Sequence, residues 1–132
     1  MATALDGRLQ AKTITPSLTV DDLQRSIRFF EGLGFVVDER WEDGGVLRGV
    51  MLKAGESRLG ISQDDWQKGR DRQKGVGMRL FIDTTQDIDK LAASAKEAGI
   101  KLDQEPHEMW GSRGFEVTEP SGFKLTITSV RQ

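Results

Sequence analysis

The chain has 132 residues, a length that predicts one domain built around a single hydrophobic core. Its 19 Lys and Arg and 21 Asp and Glu give a formal net charge of −2, so we expect no nucleic-acid partner and no membrane partner. The sequence contains no Cys, which excludes disulfides, thiolate metal sites and a Cys nucleophile. Residues 1–12 lack the apolar stretch of a secretory signal, and no run approaches the ~20 apolar residues of a membrane span, so a cytoplasmic location is expected.

The first half of the chain predicts a strand, a helix and three further strands. Leu18 and Val20 alternate with polar residues, as in a half-buried strand, and apolar residues then recur at the spacing of an amphipathic helix. Asp21, three residues before Gln24, predicts the N-cap of this helix, and Gly34 predicts its end. Short strands punctuated by glycine are expected at about 35–42, 45–52 and 57–62.

The second half repeats this order after a charged linker at residues 63–76, which we expect to be a mobile loop. Its first strand has Phe81 as an apolar exception to an alternating pattern. A second amphipathic helix follows, and three more strands are expected at about 101–104, 114–117 and 123–128.

The spacing of the helix ends shows that one unit occurs twice. Asp22 precedes Gly34 by 12 positions, and Asp87 precedes Gly99 by the same number. The two copies are therefore offset by 65 residues (87 − 22 = 65), about half the chain. We predict an α+β fold of two βαβββ modules, 13–62 and 77–130, within a single domain of residues 1–132.

Two motifs resemble those of a known superfamily. Residues 18–35 are similar to the opening signature of the glyoxalase/bleomycin-resistance/dioxygenase (vicinal oxygen chelate) superfamily. Residues 110–127 are similar to its closing motif, in which Glu119 stands where the Asp of Asp-Pro-x-Gly is usual. The resemblance implies mixed, curved sheets that enclose a cavity, and a homodimer that completes or flanks it.

Superfamily enzymes hold a divalent metal in this cavity with His and Glu from inward-facing strand positions. The matching positions in this sequence are Thr15, Gly60, Gly77 or Arg79, and Thr126. None of these residues offers an imidazole or a carboxylate, which divalent metal sites require. We therefore expect no metal and no cofactor, and the catalytic residues, if there are any, stay unassigned.

Five residues are predicted to bind a ligand: Trp41, Arg48, Trp66, Trp110 and Phe115. Aromatic rings can stack on a flat ligand, and an arginine can anchor an anion. For Trp110, core packing or a dimer contact is an equal alternative, and Trp66 suits a lid or a contact with a partner subunit. For Arg48, a solvent-facing position on the sheet is favoured over the cavity.

Two charged groups have both a functional and a structural interpretation. His107, the only histidine, could act as a ligand or general base with Glu105 or Glu108, although an exposed position at a strand edge is favoured. Glu42 and Asp43 could attract a cationic ligand, although solvation of a turn is favoured.

Three functions stay open. The leading hypothesis is a metal-independent protein that binds a small aromatic or antibiotic-like molecule, because it accounts for both the duplicated fold and the missing metal ligands. The first alternative is a glyoxalase-like lyase or dioxygenase with a divergent or absent metal site, although the missing ligands favour a non-enzyme. The second is a non-catalytic regulatory or interaction module whose cavity is filled by Trp110 and Phe115.

Overall fold

The computed structural model describes residues 7–129. The first half forms β1 (Ser17–Val20), α1 (Leu23–Leu33), β2 (Val36–Asp43), β3 (Val46–Ala54) and β4 (Ser57–Gln63). The second half forms β5 (Arg79–Thr84), α2 (Ile88–Glu97), β6 (Leu102–Met109), β7 (Ser112–Thr118) and β8 (Lys124–Ser129). The predicted α+β fold of two βαβββ modules is confirmed. Neither helix of the described residues has the length and hydropathy needed to cross a membrane.

Each module contains one mixed four-stranded sheet. The first sheet has the order β1-β4-β3-β2 and the second the order β5-β8-β7-β6. The parallel pairs are β1 with β4 and β5 with β8, and all the other neighbouring strands are antiparallel. In each module the helix leads from the first strand at one edge of the sheet to the second strand at the opposite edge. The sheets do not close into a barrel within the described residues.

Alternation along the strands gives each sheet a helix face and an open face. On the helix face, Val50 of the first sheet and Val117 of the second are fully buried in one core shared by both modules. The helices also contact each other. A Cβ added at Gly32 of α1 would lie only 3.0 Å from Cβ of Ala98, just after α2. The opposite side of each sheet, which we call the open face, carries several exposed apolar side chains.

The N-caps of the helices confirm the repeat, whereas the C-caps differ: Ala98 is the C-cap of α2, and the left-handed Gly99 (φ 90°) follows it. The Asp22 side chain caps α1 by accepting from the Arg25 N–H, and Asp87 caps α2 by accepting from the Lys90 N–H. Helix α1 ends at Gly34, whose φ of 115° is left-handed. Assignment of the first N-cap to Asp21 was wrong by one residue.

Asp21 instead helps to attach the linker to the first module. Its carboxylate accepts from Lys74, and its N–H donates to Ser121 Oγ at 2.8 Å. Lys74 also lies 2.8 Å from Asp64, and Arg72 donates to the same carboxylate at 3.1 Å. Both Asp64 and Lys74 have side chains about one-twentieth exposed (4% and 5%). Three charges of the linker that we expected to be mobile, those of Asp64, Arg72 and Lys74, therefore form ion pairs, one of them with Asp21 outside the linker.

This ion-pair cluster predicts acid sensitivity. Hydrogen bonds from Lys74 and from the Trp66 N–H lower the pKa of Asp64 from 3.8 to about 2. Because the pKa of the folded state lies below that of the unfolded state, the stabilisation is complete above about pH 4 and is lost as the pH falls towards 2. We expect the melting temperature to fall across this interval, and to fall less in Asp64→Asn. The control is Asp65→Asn, whose exposed carboxylate binds only the local Gln67 N–H. Equal pH slopes in the wild type and Asp64→Asn would contradict the assignment.

Strand β6 is longer than the sequence predicted. We expected it to span about residues 101–104, although Pro106, which cannot donate to a sheet, lies within the observed strand. The strand continues to Met109, since it lies at the edge of the second sheet and its register shifts between Gln104 and His107. The proline occupies this irregularity, where its missing N–H leaves no partner unsatisfied.

Candidate ligand-binding site

The open face of the second sheet brings together the residues that match two metal-ligand positions of the resembled superfamily. Arg79 Nη1 lies 3.0 Å from Thr126 Oγ1 and 3.0 Å from Glu116 Oε1. The Arg79 and Glu116 side chains are 31% and 26% exposed, so the ion pair is half-buried. A charge-assisted pair of this kind fixes the direction of the arginine side chain.

Strand pairing explains why these side chains meet. Phe81 pairs with Thr126 in the parallel β5–β8 ladder, and Thr126 pairs with Glu116 in the antiparallel β8–β7 ladder. Glu116 lies between Phe115 and Val117, which are buried on the helix face, so alternation directs it to the open face. Sequence analysis missed Glu116. The polar residue between two core residues was a visible signal, but its partner lies 37 positions away.

These residues do not fit a metal ion. Arg79 is a cationic hydrogen-bond donor and cannot act as a metal ligand. Its guanidinium already donates a hydrogen bond to the Thr126 hydroxyl. At the equivalent position of the first sheet, Gly60 has no side chain to offer, and the nearest atoms to a Cβ placed there belong to Ser17 and Met51. Among residues 7–129, no group of three or more His, Cys, Asp or Glu side chains could hold a metal. We therefore assign no metal chemistry to this face.

An aromatic pair lies on the same face. Phe81 is 58% exposed and Trp110 is 85% exposed, and their ring centroids are 6.2 Å apart at an interplanar angle of 56°. Trp110 occupies the turn between β6 and β7 with a φ of 46°. The adjacent Met109 covers Gly114, where an added Cβ would lie 3.2 Å from the Met109 sulfur. The second open face thus offers flat apolar surface beside the Arg79 ion pair.

The other predicted binding residues are not all brought to this face. Trp41 lies on the open face of the first sheet, 48% exposed, with Cε3 3.3 Å from the position of a Cβ on Gly49. Arg48 is exposed on β3 and by alternation shares the helix side with Val50.

Phe115 is 1% exposed in the core. Trp110 and Phe115 therefore lie on opposite sides of the second sheet and do not jointly fill a cavity.

Trp66 packs within its own linker. The Arg70 guanidinium carbon and the Lys74 ammonium nitrogen each lie 4.7 Å from the centre of its ring. Its backbone has a φ of 62°, and its N–H donates to Asp64 Oδ1 at 2.8 Å. The ring therefore helps to order the linker, and its predicted ligand contact stays a prediction.

His107 is not joined by the neighbouring carboxylates. Its Nδ1 lies 2.8 Å from the Glu105 backbone oxygen, whereas the Glu105 side chain lies 2.5 Å from Lys96 Nζ. The Glu108 carboxylate lies 3.7 Å from Arg113. The described geometry therefore contains no His107–carboxylate pair of the kind a general base would use.

Arg113 belongs to the helix side of the second sheet. It donates to both carboxylate oxygens of Asp89 on α2 at 2.9 Å. The hydrogen bond from Arg113 lowers the pKa of Asp89. This pair stabilises the contact between helix and sheet, away from the open face.

The fold is a duplicated α+β domain of two βαβββ modules, and residues 7–129 contain no cluster of metal-ligating side chains. The family model described as Glyoxalase/Bleomycin resistance protein/Dioxygenase superfamily matches residues 11–127, and the chain belongs to this superfamily.

Three solved structures illustrate the shared fold. Hypothetical protein SA1046 from S. aureus has 18% identity and a TM-score of 0.73, with 96% of this chain and 99% of that chain covered. TioX from Micromonospora sp. ML1 has 18% identity and a TM-score of 0.72, with coverages of 90% and 98%. A glyoxalase/bleomycin resistance protein/dioxygenase from Alicyclobacillus acidocaldarius has 16% identity and a TM-score of 0.69, with coverages of 95% and 96%. A search of curated proteins found no match.

Proposed function

We propose that this protein binds a small, flat aromatic molecule on the open face of its second sheet without using a metal ion. The carrying observation is the Arg79–Thr126–Glu116 cluster at the positions that match metal ligands, beside the exposed rings of Phe81 and Trp110. Exposed aromatic surface next to a few fixed polar groups is typical of small-molecule sites. Sequestration of an antibiotic-like molecule is the most specific form of this function.

The two alternatives have less support. A lyase or dioxygenase of the usual kind needs a metal-binding group, and His107 stands apart from the carboxylates of Glu105 and Glu108. A regulatory module with a filled cavity needs Trp110 and Phe115 on one side, whereas they occupy opposite sides of the sheet.

The proposal includes a homodimer. Trp41 on the first open face and Phe81 and Trp110 on the second are exposed, and a second copy of the chain would cover them. Two copies related by a twofold axis would cover both kinds of face at once, because each copy supplies one of each. The bound molecule would then lie between an open face of one copy and an open face of its partner.

Metal content and ligand binding test the proposal together. After incubation with Ni, Mn, Fe and Zn and exhaustive buffer exchange, we expect far less than one metal ion per chain. We expect flat aromatic molecules to bind by calorimetry, and Phe81→Ala to weaken binding about fivefold, since ring stacking contributes about 1 kcal/mol. Val46→Ala, which removes exposed apolar surface at the β2–β3 hairpin, is the matched control. One tightly held metal ion per chain, or equal effects of the two variants, would contradict the proposal. The molar mass from light scattering after gel filtration tests the proposed homodimer.

A further inference from the structure

Unused hydrogen-bond donors on Arg79 give information about the charge of the bound molecule. Arg79 makes both of its hydrogen bonds, to Glu116 and Thr126, through Nη1. A guanidinium carries five N–H donors in a planar fork. The donors on Nε and Nη2 therefore make no hydrogen bond to any of residues 7–129, and the side chain is 31% exposed. One edge of the guanidinium is available to a planar, two-oxygen acceptor such as a carboxylate.

The surroundings of this edge carry unmatched positive charge. Lys124 is the register partner of Arg79 and lies on the same face as Thr126 by alternation. It is exposed and forms no ion pair with any described residue. A groove beside it is lined by Lys74, Arg79 and Lys124 and by no Asp or Glu. Lys74 forms ion pairs with two carboxylates and Arg79 with Glu116. Among the cations that line this groove, Lys124 is therefore the one without an ion-pair partner in the described residues.

Phe81, one member of the aromatic pair, is the next residue on this face of β5 after Arg79. Phe81 follows Arg79 by two positions on β5, which places it on the same face about 7 Å further along the strand. The next residue on this face, Asp83, lies beyond Phe81 and accepts from Thr128 at 2.7 Å. The positive end of the face is thus at Arg79 and Lys124, with the aromatic surface in the middle.

We propose that the second open face binds an aromatic carboxylate. The ring lies against Phe81 and Trp110, and the carboxylate accepts from the free edge of Arg79 close to Lys124. Glu116 and Thr126 hold the guanidinium in place, so little side-chain entropy is lost on binding. This inference rests on the proposed function and adds the charge of the ligand. It differs from the cationic ligand that Glu42 and Asp43 could attract.

A charge series of one ring system tests the inference. The probes are 2-naphthoate, its neutral amide and 2-naphthylmethylammonium, each titrated by calorimetry. We expect the carboxylate to bind at least about tenfold more tightly than the amide, and the cation to bind most weakly, because a charge-assisted pair contributes about 1.5–3 kcal/mol. Arg79→Met should remove this preference by weakening the carboxylate alone. Lys124→Met should reduce it severalfold. Arg113→Met, on the helix side of the same sheet, should leave all three affinities unchanged.

The outcomes separate this inference from the function on which it rests. Equal binding of carboxylate and amide, or a preference that survives in both Arg79→Met and Lys124→Met, would overturn the charge assignment and leave aromatic binding intact. Failure of all three probes to bind would overturn both. If Arg79→Met does not fold by circular dichroism, the wild-type charge series and Lys124→Met decide the question.

Discussion

Replacing Gly75 with alanine is expected to destabilise the protein by about 3–4 kcal/mol, because the new Cβ meets both backbone strain and a steric clash. Gly75 has a φ of 79°, and its added Cβ would lie 2.4 Å from the Gly122 carbonyl oxygen. Gly122 has a φ of 118°, and a Cβ there would lie 2.9 Å from the Lys74 carbonyl oxygen. The end of the linker and the turn before β8 therefore contact each other backbone to backbone, and neither side can move as a flexible side chain would.

Gly77→Ala is the matched control for this prediction. Gly77 has a φ of 78°, nearly the same as Gly75, but a Cβ there would meet nothing within 4 Å. It should cost only about 1–2 kcal/mol, the penalty of a left-handed backbone for an ordinary residue. Urea unfolding of both variants measures the difference. Equal losses would mean that the contact with Gly122 contributes nothing and that backbone strain accounts for the whole effect.

The fold was largely predictable because local and repeated signals agree. Apolar periodicity predicted both helices, and the matched spacing of Asp22 to Gly34 and Asp87 to Gly99 predicted the duplication. The error at the first N-cap has a tertiary cause. Two adjacent aspartates precede α1, and the sequence does not show that a distant lysine, Lys74, takes the first of them.

The candidate site was less predictable because it depends on contacts across the sheet. The resemblance matched Arg79 and Thr126 to metal-ligand positions that carry no ligand here. It did not reveal that Arg79 donates a hydrogen bond to Thr126, which lies 47 positions away in the sequence. Phe81 was visible only as an apolar exception in an alternating strand, and this exception is what an exposed aromatic on the open face produces. Trp41 and Trp110 were both predicted to bind a ligand, and they lie on the open faces of different sheets.

Ser26→Ala is expected to lower the free energy of unfolding by about 2 kcal/mol, because it leaves a buried carboxylate oxygen without a donor. Ser26 on α1 is fully buried and its hydroxyl donates to Glu119 Oε2, whereas Glu119 is 1% exposed and its Oε1 accepts from the Ser121 N–H at 2.7 Å. Ser57→Ala, at an exposed position at the start of β4, should change stability by less than about 0.5 kcal/mol. Urea unfolding compares the two variants. A loss from Ser26→Ala no larger than that from Ser57→Ala would contradict the role of the bond.

Glu119 variants extend this test to the closing motif of the superfamily. Glu119→Asp restores the usual residue but shortens the side chain by one methylene group, so it should keep the bond to Ser121 and lose the bond to Ser26. Glu119→Gln keeps the length and should be milder, since its amide can still bond to both partners. Ser26 and Glu119 are 93 positions apart and belong to different modules, so their bond joins α1 to the turn that leads into β8. Because β8 carries Lys124 and Thr126, Glu119→Asp should also weaken 2-naphthoate binding, whereas Ser57→Ala should not.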